Sequence, residues 1–224
     1  MTRTILASLA AAVAVTIVTG TGCNSTGVGD PCVPEAEYSQ AFLGFSYKEV
    51  NVESKSFQCQ TRLCLANHFQ GRVTCPYGQS STGTAAGTTA FDETPGTSAC
   101  LTPISQAVTG VDSSGNVQAP PAGVPPTAAP GAVLPNCTDR TAQNAVYCSC
   151  RCANIDGNTN DGANYCKCPT GFSCEQLVSA IGNIDTGITG GYCVKKGTDY
   201  TPDSCAAPCS ASAGGCGKAQ GVAK

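Results

Sequence analysis

Seventeen cysteines in 224 residues constrain this chain more than any other feature. Bridges stabilise a fold by restricting the unfolded chain, each by about 2–4 kcal/mol, and small secreted domains use them where the apolar core is too small. The remaining composition points the same way. Charged residues make up 12% of the chain, Trp is absent, and 26 Gly and 14 Pro favour turns over long regular elements. The expected fold is a set of small disulfide-rich, β-rich or irregular modules with one short helix. Because the cysteine count is odd, one thiol has no partner if all the others pair.

The N-terminus indicates which one. After "MTR" comes the apolar run "ILASLAAAVAVTIV", from Ile5 to Val18, and then the small residues "TGTG". A basic start, an apolar stretch and a small-residue zone make a secretory signal over residues 1–22. The run is shorter than the ~20 apolar residues a membrane-spanning helix needs. Cys23 stands directly after this zone, behind Thr21 and Gly22. The stretch resembles a bacterial lipoprotein signal, although Gly20 stands where an apolar residue is usual. The resemblance implies that Cys23 is the lipid-attachment residue and that two or three acyl chains hold the mature protein on a membrane. Asn24 in place of Asp then points to the outer membrane or cell surface. The alternative is cleavage by the ordinary signal peptidase, giving a soluble secreted or periplasmic protein.

Beyond Cys23 the composition changes in blocks. Residues 23–30 read as a polar tether. Residues 31–78 form an N-terminal disulfide-rich module with strand candidates "LGFSYKEVNVES", "TRLCLANHF" and "GRVTC". The first of these slips phase between Tyr47 and Val50, which predicts a bulge or bend. One small core is expected from Phe42, Phe45, Tyr47, Val50, Val52, Phe57, Leu63, Leu65, Phe69 and Val73. Residues 79–136 are rich in Ser, Thr, Gly, Ala and Pro and read as a flexible linker. Residues 137–196 form a second cysteine-rich module. In it Ser173 to Gly182 predicts a helix, with Ser173 and Gln176 at capping-box spacing, and "GYCVKK" predicts a strand. Residues 197–224 read as a flexible tail carrying cysteines.

The sixteen cysteines after Cys23 are expected in disulfides. Cys32, Cys59, Cys64 and Cys75 form an even set, and Cys100 and Cys137 bracket the Pro-rich stretch as a pair. Cys148, Cys150, Cys152, Cys166, Cys168, Cys174, Cys193, Cys205, Cys209 and Cys216 form a second even set. Each module can then close on itself. If instead Cys100 joins the first set and Cys137 the second, at least one bridge must link the modules.

The phrase "CKCPTGFSC", Cys166 to Cys174, resembles the C-terminal half of an EGF-like module, with Gly171 in the tight turn and Phe172 as the aromatic that covers a disulfide. Cys174 follows too soon, and the upstream "CSCRC" does not match, so the resemblance covers fewer than ten residues. The whole arrangement is similar to cysteine-rich bacterial lipoproteins, a likeness that implies location and no activity.

Other chemistry is thinly represented. No two cysteines stand at Cys-x-x-Cys spacing, so neither a zinc knuckle nor a thioredoxin-type pair is present. No metal site or cofactor is expected. The loop "DGNTND", Asp156 to Asp161, places oxygens at alternate positions as a calcium loop does, but Lys167 stands where the bidentate Glu belongs. The turn-forming habit of Asn, Asp and Gly accounts for the same residues. His68 is the one histidine, and no G-x-S-x-G accompanies it. A net charge of −3 gives no basic patch for nucleic acid.

The sequence therefore leads to an exported, lipid-anchored envelope protein with a structural or surface-binding role and no catalysis of its own, its partner a protein or polysaccharide. The alternatives are a secreted enzyme inhibitor or hydrolase, the latter needing His68, and a calcium-dependent adhesion module.

Overall fold

A computed structural model describes residues 27–79, 100–104, 106, 108, 133–179, 187–209 and 216–217. Among these, the chain forms a 3-10 turn at Glu35–Tyr38, strands β1 (Val50–Glu53) and β2 (Cys64–Asn67), and one helical turn α1 (Ala142–Ala145). Strands β3 (Val146–Cys148), β4 (Arg151–Ala153), β5 (Phe172–Val178) and β6 (Gly190–Lys195) follow. The described protein is small, its regular elements are mostly strands, and it is closed by eight disulfides.

Two antiparallel three-stranded sheets organise it, in the orders β1-β2-β3 and β4-β6-β5. In the first, Val52 faces Leu65 across the β1–β2 pair and Leu65 faces Tyr147 across β2–β3. All four residues of β2 are buried, because both faces are covered. Successive side chains point to opposite faces. Cys64 and Ala66 therefore pack with Val33, Phe45, Phe69 and the alanines of α1, while Leu65 packs with Tyr147 and Tyr192. Ser149 joins the sheets: its backbone N–H donates to Leu63 O (3.0 Å) and its hydroxyl to Cys193 O (2.8 Å).

This arrangement corrects the expectation of cysteine sets that close on themselves. β3 belongs to the second cysteine-rich region yet completes the sheet of the first, and Cys59–Cys148 staples the two across 89 residues. Cys100 pairs with Cys75, and Cys137 with Cys205 in the tail, so the expected Cys100–Cys137 pair does not form. The other bridges are Cys32–Cys64, Cys150–Cys166, Cys152–Cys174, Cys168–Cys193 and Cys209–Cys216. Parity is compatible with both schemes; strand pairing decides between them.

The segment expected as a helix from Ser173 is strand through Val178, with residues 180–186 outside the described set. Cys174 lies opposite Cys193 on β6 and is bonded to Cys152, and this long-range pairing overrides the local capping signal. "GYCVKK" does contribute a strand, β6, over Gly190–Lys195. The bulge or bend expected between Tyr47 and Val50 is a turn, closed by Glu49 N–H donating to Ser46 O (3.0 Å).

"GRVTC" is a tight turn and not a strand. It wraps the carboxylate of Glu37, which accepts from Val73 N (2.7 Å), Thr74 N (3.0 Å) and Thr74 Oγ1 (2.8 Å). Arg72 stands 3.9 Å from that carboxylate and donates to Phe42 O (2.6 Å) and to Glu37 O. Both side chains are fully buried. Gly71 before the turn has φ +87°, and a Cβ there would lie 2.3 Å from Leu134 O, so only glycine fits.

The described pieces of the segments expected as tether, linker and tail are packed. Gly29 N–H donates to Cys148 O and Cys148 N–H to Asp30 O. Val108 and Val133 form a small core with Cys75 and Cys100. Cys209 N–H donates to Asn136 O, and Tyr200 lies on His68.

Candidate binding cleft

The loop between β1 and β2, residues 54–63, is short of apolar residues and built from turns. Ser56 N–H donates to Arg62 O (3.0 Å) and Arg62 N–H to Cys59 O (2.9 Å). Two anchors fix its base. Cys59 is bonded to Cys148, and the Gln58 side chain reads the Val33 backbone in both directions, donating to Val33 O (2.7 Å) and accepting from Val33 N (3.0 Å). Facing this loop is the 3-10 turn, tied to the end of β1 by Glu35 N–H donating to Glu53 Oε2 (2.8 Å).

Between loop and turn lies a cleft of about 680 Å³, lined from one side by Glu35 and Tyr38 and from the other by Glu53, Lys55, Ser56 and Phe57. Arg62 also borders it. Phe57 is 90% exposed, and the Arg62 guanidinium lies 4.8 Å from its ring centroid. A cation over an aromatic face is attracted by the ring quadrupole. Arg62 holds a left-handed backbone, φ +62°, which non-glycine residues adopt at a cost. Two carboxylates, Glu35 and Glu53, balance two cations, Lys55 and Arg62. Burial pushes the Glu53 carboxyl above its usual range; the Glu35 N–H opposes this and the Glu35 charge adds to it. The hydroxyl of Ser56 is buried with no hydrogen-bond partner, in a residue only 1% exposed. Such an orphan costs about 1–3 kcal/mol unless something satisfies it.

The residues singled out in the sequence lie elsewhere. Cys23 falls outside the described residues. His68 is half-buried, its Nδ1 bonded to Tyr47 O (2.9 Å) and its ring stacked on Tyr200 at 4.1 Å between centroids. Burial pushes its pKa below the usual value, the Tyr47 carbonyl opposing and the Arg140 charge reinforcing the shift. Arg140 spans this corner, donating to Asn67 O, His68 O (3.2 Å) and Thr198 O.

The 156–161 loop satisfies itself. Asn154 Oδ1 accepts from Asp156 N and Asn158 N, and the Asp161 carboxylate accepts from Asn154 Nδ2, Ala163 N and Tyr165 OH (2.6 Å). Gly171 turns at φ +90°, and Phe172 after it packs on a cluster containing Cys150, Cys152 and Cys193. Among the described residues, three sulfur triads lie close enough to surround an ion, at Cys32/Cys59/Cys148, Cys150/Cys166/Cys193 and Cys152/Cys168/Cys174. Each of these sulfurs is disulfide-bonded, and the ligand for zinc is a thiolate.

The sequence reading placed Phe57 in the core. Its neighbours in "KSFQCQTR" are polar on both sides, and an isolated aromatic in a polar turn beside a cysteine is the signal that marks it as displayed. No protein family, curated protein or solved structure matches the chain. Among the described residues, no helix is long and apolar enough to cross a membrane.

Proposed function

We propose that the chain is exported, is anchored to the bacterial envelope through lipid on Cys23, and serves there as a non-catalytic binding protein whose contact site is the cleft between the Glu35–Tyr38 turn and the 54–63 loop. The observation that supports this most is Phe57. Phe57 is 90% exposed at the border of the cleft, and it is carried on a loop braced by a disulfide and by Gln58. Rigid display of an aromatic beside a concave surface lowers the ordering cost of binding.

The export reading rests on the signal-like N-terminus and on sixteen cysteines in disulfides, a state favoured in oxidising compartments. One fractionation experiment tests both parts. The wild-type chain should partition with membranes, and a Cys23→Ser chain should leave them. The mature chain purified from Asn24 onward, disulfides formed, should then bind isolated envelopes saturably. Membrane partitioning of Cys23→Ser like wild type would contradict the anchor, and absence of saturable binding would contradict the binding role.

A further inference from the structure

Resting on the binding role proposed above, we infer that the cleft takes a neutral saccharide, one or two sugar residues of a glycan chain. Three observations converge on that chemistry. First, a volume of about 680 Å³ lies within the range of small-molecule sites. Second, Phe57 and Tyr38 border the cleft and are 90% and 37% exposed. Aromatic faces carry negative potential, and the axial C–H groups of a pyranose present a weakly positive surface that stacks on them.

Third, the charges that line the cleft cancel: Glu35 and Glu53 against Lys55 and Arg62, with Arg62 already held over Phe57. A polyanion would meet two carboxylates and a polycation two cationic groups, whereas a neutral polyol meets acceptors and donors suited to its hydroxyls.

Glu53 and Gln58 are less available. Glu53 Oε2 is used by Glu35 N–H, and both ends of the Gln58 amide are used by Val33. They are positioning residues: they hold the two walls apart at a fixed separation. Recognition falls to the two rings and the Glu35 carboxylate.

The test uses the disulfide-intact mature chain and isolated envelopes in three states: untreated, digested with protease, and oxidised with periodate, which cleaves vicinal diols. Binding should survive protease and be lost after periodate. Hexaoses of β-1,4-glucose, α-1,4-glucose and β-1,4-N-acetylglucosamine are then titrated directly. At least one should bind, and Phe57→Ala should weaken it about tenfold. Tyr38→Ala, which removes the second ring at the cleft, should weaken it too. Binding abolished by protease and untouched by periodate overturns the saccharide inference and leaves the binding role standing, with a protein partner. The saccharide class is also overturned if none of the hexaoses binds, or if sulfated polysaccharide binds more tightly than every neutral one. No binding to untreated envelopes counts against the binding role itself.

Discussion

Cys59 on the 54–63 loop is bonded to Cys148 on β3, 89 residues away, so the loop that displays Phe57 is tied to the strand that completes the first sheet. The same strand accepts Gly29 N–H at Cys148 O. Three parts of the chain distant in sequence thus meet at one cystine, and the cleft inherits its rigidity from that junction.

Cleavage between residues 80 and 99 is expected to release no fragment. Cys59–Cys148 and Cys75–Cys100 both cross that segment. A nicked chain should run as one species without reductant and as two with it. Separation without reductant would contradict the pairing. Replacing Cys59 and Cys148 together by Ala should cost about 2–5 kcal/mol, measured by denaturant unfolding.

Glu37 and Arg72 form the buried ion pair around which the "GRVTC" turn folds. Removing one partner leaves a buried charge without compensation, so Arg72→Met or Glu37→Ala should each cost about 3–5 kcal/mol. The double variant should lose less than the sum of the two, because neither orphaned charge remains. Additive losses would show that the pair is not coupled.

His68 makes stability depend on pH with a definite sign. Its pKa in the fold lies below the ordinary 6.5, chiefly through burial, with Arg140 reinforcing and the Tyr47 carbonyl opposing. The groups against its ring are Tyr47, Tyr200 and Arg140. The unfolded chain therefore binds the proton more readily. The contribution is fully present above the unfolded value and is lost as pH falls through the folded one. Glu37, Glu53 and Glu175, whose carboxyls burial raises, act with the opposite sign: their contribution is lost as pH rises through the raised values. Comparing Tm against pH for wild type and His68→Phe isolates the histidine. The variant keeps a ring on Tyr200 and should show a flatter decline below pH 6.5. Identical slopes would contradict the assignment.

Gly190 and Gly171 both have positive φ, but their surroundings differ. A Cβ at Gly190 would lie 2.3 Å from Ala153 O, whereas nothing lies within 4 Å of one at Gly171. Gly171→Ala should cost only the backbone strain, about 1–2 kcal/mol. Gly190→Ala should cost more, because β4 must move away from β6. Equal losses in thermal unfolding would show that the close approach is absent.

The fold class was legible in the sequence because cysteine content and the scarcity of charge reflect construction directly. Three of the strands, β1 in "LGFSYKEVNVES", β2 in "TRLCLANHF" and β6 in "GYCVKK", were legible from short apolar runs. The partnership of β2 with β3 was not, since Leu65 and Tyr147 are 82 positions apart and no local pattern encodes their register. The Ser173 segment misled for the same reason: its capping signal is local, and the Cys152–Cys174 bridge that makes it strand is not. At the cleft, Phe57 was misassigned because hydrophobicity alone predicts burial, whereas the loop geometry set by Cys59 and Gln58 turns the ring outward. The Ser56 hydroxyl left no trace in the sequence, because whether a serine finds a partner depends on what packs around it.

The measurement closest to the central claim is saturable binding of the mature chain to isolated envelopes, compared among wild type, Phe57→Ala and Ile155→Ala. Ile155 is also exposed, at 42%, and does not line the cleft, so it controls for general apolar adhesion. The account predicts equal Tm for all three proteins, equal binding for wild type and Ile155→Ala, and a loss of about tenfold for Phe57→Ala. Phe57→Ala binding as tightly as wild type would contradict it.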